Sequence, residues 1–166
     1  MWWLGLFNIV WLFLTVIIQL AWVDQLAISW LKPNFLLVVL IVWLVLRGWP
    51  RVNFWILGVG IFLDCLAVYP FGSQTVLWLL TMGLANLLLI NFFTNKSFYA
   101  FSGLIVITTI FQWFGLIIIS RNWPGSNWWL ELGGQILINW LLMLILYYVI
   151  YWLDRRLNPL FLWKNR

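Results

Sequence analysis

The sequence predicts an all-α, polytopic membrane protein with six transmembrane helices in a single domain, and three observations predict it. Of the 166 residues, 66% are hydrophobic and 8% are charged. An ordinary soluble domain is about 45–50% apolar and about 25% charged, so this chain lacks the polar residues to cover a water-facing surface. The apolar residues fall into long runs divided by charged or Pro/Gly-containing breaks, and a spanning helix needs about 20 of them. Basic residues gather in alternate breaks. Soluble globular, disordered and coiled-coil classes are excluded.

The elements follow in order. Span one is expected over residues 2–22, which carry no charge. It lacks a basic n-region and a small-x-small cleavage site before Asp24, so it reads as a retained span rather than a secretory leader. Span two, 33–46, opens on Pro33, suited to a first helical position because the N–H it lacks would be orphaned there anyway. Arg47-Gly48-Trp49-Pro50-Arg51 is expected as a tight turn before span three, 53–68, which contains Asp64. Tyr69-Pro70-Phe71-Gly72 makes the next turn. Span four covers 74–93, span five 98–119 and span six 132–153, with a basic tail over 154–166.

Six spans put both termini on one side. That side carries Arg47, Arg51, Lys96, Arg155, Arg156, Lys164 and Arg166, and the other carries Lys32 and Arg121. The positive-inside bias in loops this short makes both termini cytoplasmic. The net charge of +5 is thus a topology signal; no basic cluster outside the tail suggests nucleic acid. Spans two and three are the odd pair, because 14 and 16 residues reach only roughly 21–24 Å against a hydrocarbon core of about 30 Å. The favoured explanation is that this hairpin sits beside other helices and meets little lipid.

Eleven of the 16 Trp (Trp2, Trp3, Trp22, Trp30, Trp49, Trp55, Trp123, Trp128, Trp129, Trp152 and Trp163) fall near expected span ends, where an aromatic belt forms. Trp11, Trp43, Trp78, Trp113 and Trp140 lie deeper and are candidates for packing or binding. Polar residues recur at helical steps within spans: Asn8, Thr15 and Gln19; Asn53, Gly60 and Asp64; Gln74, Thr81 and Ala85; Thr108, Thr109 and Gln112; Gln135 and Asn139. Lipid cannot satisfy such groups, so these stripes should face other helices, as interhelical hydrogen bonds or as the wall of a polar cavity. Asp64 is the one charge inside a span, costly there and a functional-site candidate by default. It has three options: to stay protonated, to pair with a base, or to cap backbone donors at the end of span three. Gly58 and Gly60 precede it, and Gly60, one turn away, would let another backbone approach.

Catalysis is not expected. The chain has no His, hence no nucleophile–base pair of the usual kind, and Cys65 is its one cysteine, which excludes an internal disulfide and a thiolate metal site. No catalytic residue, cofactor or metal is assigned.

Four short stretches in order carry a resemblance: Lys32-Pro33-Asn34-Phe35-Leu36-Leu37-Val38, Arg47-Gly48-Trp49-Pro50-Arg51, Gly58-Val59-Gly60-Ile61-Phe62-Leu63-Asp64 and Pro70-Phe71-Gly72. Together they resemble the MreD family of rod shape-determining proteins over about a quarter of the chain. The resemblance implies a non-enzymatic inner-membrane scaffold of the bacterial elongation machinery. Such a scaffold would bind MreC, within a wider complex of MreB, RodA and a class B penicillin-binding protein, and help control cell shape and lateral peptidoglycan synthesis. It also implies a fold like the substrate-binding subunits of energy-coupling-factor vitamin transporters. The family pattern marks Pro33, Asn34, Gly60, Asp64 and Gly72 here, with Asn34 standing where an acidic residue is common. The alternative is a substrate-binding membrane subunit of a small-molecule (vitamin) transporter, with a polar cavity walled by aromatics such as Trp113 and Trp140.

Overall fold

A computed structural model of the chain describes residues 10, 14–23, 32–66, 70–92, 98–121 and 125–157. The start of span one with Asn8 and Trp11, the break 24–31, Tyr69, Lys96, Trp123 and the tail beyond Leu157 lie outside the described residues. The described residues form helices and turns, without strands. Helix α1 covers residues 14–23, its last turn (Gln19–Val23) being π-helical. It is followed by α2 (Phe35–Arg47), α3 (Trp49–Leu66), α4 (Ser73–Asn91), α5 (Phe98–Ser120) and α6 (Trp128–Leu157). Helices α4, α5 and residues Trp128–Val149 of α6 are long and apolar enough to cross a membrane, while α2 and α3 are apolar but shorter. The protein is an all-helical membrane protein.

Helices α3, α4, α5 and α6 each pack on the next, forming an arc, and α2 touches all four. That central position follows from sequence, because α2 (FLLVVLIVWLVLR) is apolar on every side and a helix apolar all round is buried. Leu36, Leu37, Val38, Leu40, Ile41, Leu44 and Val45 are all buried, with Ile56 and Val59 of α3, Met82 and Ala85 of α4, Leu104 and Ile105 of α5 and Met143 of α6 around them. The opposite faces are lipid-like in chemistry: Phe54, Leu80, Ile118 and Ile145 are exposed.

The expected hairpin is therefore divided in its surroundings. Helix α2 is interior, whereas α3 buries Val52, Ile56 and Val59 and exposes Phe54, Leu57 and Ile61. The turn between them is also shorter than its five-residue motif suggests. Gly48 alone breaks the helix, at φ +80° and ψ 165°, a region open essentially to glycine. Trp49 and Pro50 already lie in the first turn of α3, where proline's missing N–H costs nothing. Trp49 and Trp55, expected in the interfacial belt, pack against the core, and Trp55 pairs with Trp43 of α2 at 4.8 Å between ring centroids.

Span six begins four residues earlier than expected, at Trp128, with Glu131 in its first turn, where a carboxylate complements the helix dipole. The rings of Trp128 and Trp113 of α5 stand 5.9 Å apart.

The hinge has a direct test. Replacing Gly48 with Ala forces a side chain into the positive-φ turn and should lower stability by about 1–3 kcal/mol. Gly83→Ala on α4, where a Cβ would meet only Trp49 at 3.9 Å, should be neutral or gain up to about 1 kcal/mol of helix propensity. Reversible unfolding of both variants in mixed micelles measures the difference.

Candidate functional site

Two polar knots tie the bundle together, each built where a helix begins. The first is at the start of α4. Turn residues Pro70 to Gly72 bring α4 back against α3, with Ser73 N donating to Pro70 O at 3.1 Å. Gly72 is left-handed at φ +92°, and no side chain caps the helix from that position. The cap comes from the preceding helix. Asp64 Oδ1 accepts from the Gln74 backbone N–H at 2.8 Å, and Oδ2 accepts from the Thr75 N–H at 3.1 Å and from the Thr75 hydroxyl.

Of the three options for Asp64, the structure takes the cap. Its carboxylate is 4% exposed and meets donors at both oxygens, which is what a buried acceptor requires. It also stands at the positive end of the α4 dipole. Gly60 makes the approach possible: a Cβ there would sit 2.6 Å from Thr75 Cα and 2.9 Å from Thr75 Cβ. Gly58, named with it from sequence, plays no part, because it is exposed and a Cβ there would meet nothing within 4 Å. Thr75 was not singled out from sequence. The available signal was its place three residues beyond Gly72, where a helix start needs partners for its free N–H groups.

The second knot is at the start of α2. Pro33 is not the first helical residue: the helix begins at Phe35, and Asn34 is its N-cap, accepting from Leu37 N at 3.0 Å. A cap needs an acceptor rather than a charge, and the Asn34 amide oxygen is one. Two further backbone N–H groups at this start are met by other helices. Gln19 Oε1 of α1 accepts from Phe35 N at 2.9 Å, while Gln19 Nε2 donates to Pro33 O at 3.2 Å. Asn139 Oδ1 of α6 accepts from Asn34 N at 2.7 Å, and Asn139 Nδ2 donates to Thr109 Oγ1 of α5 at 3.1 Å.

Thr109 is the central residue of the 23-residue α5. Helix α2 therefore starts level with the middle of its neighbour and runs from there to Gly48. Its 13 residues, at about 1.5 Å each, need to cover little more than half the bundle. Non-helical backbone at that depth is tolerated only where protein surrounds it; residues 32–34 are non-helical and half-buried.

The remaining polar stripes divide. Thr81 and Thr108 direct their hydroxyls to Leu77 O and Leu104 O of their own helices, at 2.8 and 2.7 Å. Trp140 Nε1 reaches across to Ser102 Oγ of α5 at 3.0 Å. Among the described residues no three of His, Cys, Asp and Glu stand together to hold a metal.

The knots are separable by mutation. Gly60→Ala should cost about 1–3 kcal/mol by forcing α3 from α4, whereas Gly58→Ala should be neutral or slightly stabilising. Asp64→Ala leaves two backbone donors and a hydroxyl without their partner and should cost about 1–3 kcal/mol, with membrane insertion unchanged. Asn139→Leu should cost a similar amount through Asn34 N and Thr109. Equal unfolding midpoints for Gly60→Ala and Gly58→Ala would contradict the α3–α4 contact. Comparison of the chain with known protein families, with curated proteins and with solved structures finds no match, so function has to be argued from these contacts.

Proposed function

We propose that the protein is a non-enzymatic scaffold of the MreD kind, in the cytoplasmic membrane of a bacterium with both termini on the cytoplasmic side. In this role it binds the bitopic protein MreC within an assembly that includes MreB, RodA and a class B penicillin-binding protein. Through that assembly it helps control cell shape and lateral peptidoglycan synthesis. One observation carries the proposal. Of the residues that bear the resemblance, Asn34 caps α2, Gly60 admits the α4 backbone, Asp64 caps α4 and Gly72 makes the turn between them. These are the roles of a frame that holds helices at set positions.

The vitamin-transporter alternative has one observation in its favour. A helix that starts halfway through a bundle is a device transporters use around their substrate sites, and α2 starts that way. Here, however, the backbone N–H groups of Asn34, Phe35 and Leu37 at that start are occupied by Asn139, Gln19 and Asn34.

Co-expression with MreC, followed by affinity purification in mild detergent, tests the scaffold. The expected result is a stable complex with the full chain and loss of rod shape on depletion. An unbound MreC together with a small molecule retained on the purified chain would replace this proposal with the transporter.

A further inference from the structure

Two deeply buried polar atoms have no hydrogen-bond partner among the described residues, and they stand on neighbouring helices: Trp78 Nε1 on α4 and Gln112 Oε1 on α5. Each residue is 3% exposed. The other two such atoms, Asn53 Oδ1 and Ser73 Oγ, belong to half-buried residues. Buried polar groups almost always have a partner, and one that lacks it points to a bound water or another ligand.

Helix geometry brings the two residues to the same side of the α4–α5 contact. Leu77 of α4 packs onto Gly115 of α5, where a Cβ would collide with the leucine side chain. Trp78 is one residue beyond that contact and Gln112 is three residues before its partner. The chains run in opposite directions, so both steps descend toward the same end of the bundle, and the two residues differ in height by about 3 Å. Turning about 100° on α4 and about 60° on α5, they also swing to the same side of the helix contact. That side is the one on which Thr81 and Thr109 are buried.

The chemistry of the pair selects its ligand. An indole N–H only donates, and an amide oxygen only accepts. An anion would satisfy the indole and leave Gln112 Oε1 bare; an ammonium would do the reverse. A hydroxyl accepts and donates at once. We infer that α4 and α5 hold a neutral hydroxyl group, from a water molecule or from a lipid headgroup, that accepts from Trp78 Nε1 and donates to Gln112 Oε1. The site stands independently of the scaffold proposal.

The test uses the full chain with ¹⁵N-labelled tryptophan in deuterated lipid nanodiscs. Trp78→Phe identifies the Trp78 indole resonance. The expected result is a magnetisation-transfer peak from the Trp78 indole proton to water or to an exchangeable lipid hydroxyl. That peak should weaken severalfold in Gln112→Met, which keeps the volume and removes the acceptor. Native mass spectrometry separates the sources: the bare mass of the chain assigns water, and a retained lipid adduct assigns the headgroup. Thermal unfolding supplies a second readout, with each single variant melting about 2–4 °C lower and the double variant falling by less than the sum. An indole proton with no such peak, or strictly additive melting shifts, would overturn the site.

Discussion

The bundle depends on one constraint: a helix that begins away from water must have its first N–H groups met by something. An α-helix leaves four donors unpaired at its start, and hydrocarbon offers them nothing. Among the described residues two helices begin against protein, and both are supplied from other helices. Asp64 of α3 serves α4. Gln19 of α1 and Asn139 of α6 serve α2, together with its own Asn34. Removing a single acceptor leaves a buried donor unmatched, which is why these few polar side chains govern the placement of a far larger number of apolar ones.

The consequences spread from those two starts. Because α2 can begin level with the middle of α5, its 13 residues suffice, and an interior apolar helix fits where a full span would protrude. Four helices then close around it, and the α3–α4 pair is drawn tight at Gly60. The polar residues are directed inward to hold the frame, while Phe54, Leu80, Ile118 and Ile145 are left on the outside for lipid or a partner helix. A frame of fixed shape with an apolar exterior is what the proposed scaffold role calls for.

Much of this was legible in the sequence, and the illegible part has a physical cause. Apolar run lengths and breaks located α2 to α6 to within a few residues, because span length and charge exclusion act locally. Asp64 and Gly60 stood out for the same reason: a charge and a gap one turn apart are visible in one segment. What the sequence left open was which of three fates Asp64 meets, since that depends on Thr75 and the α4 start arriving from beyond a turn. Pro33 looked like a helix start by local preference, yet tertiary contacts from Gln19 and Asn139, 14 and 105 residues away, moved the start to Phe35. Gly58 and Gly60 both precede Asp64, but Gly60, the one a helical turn away, is the one that meets Thr75, while Gly58 meets nothing within 4 Å.

Amide hydrogen exchange on the intact protein in lipid tests the central claim most directly. First-turn amides of a helix ordinarily exchange quickly, because nothing in the helix pairs them. If side chains of other helices hold these starts, the amides of Asn34, Phe35, Gln74 and Thr75 will exchange as slowly as those in the middle of α2 and α4. Exchange at those four positions as fast as in the turn at Phe71 and Gly72 would contradict the account.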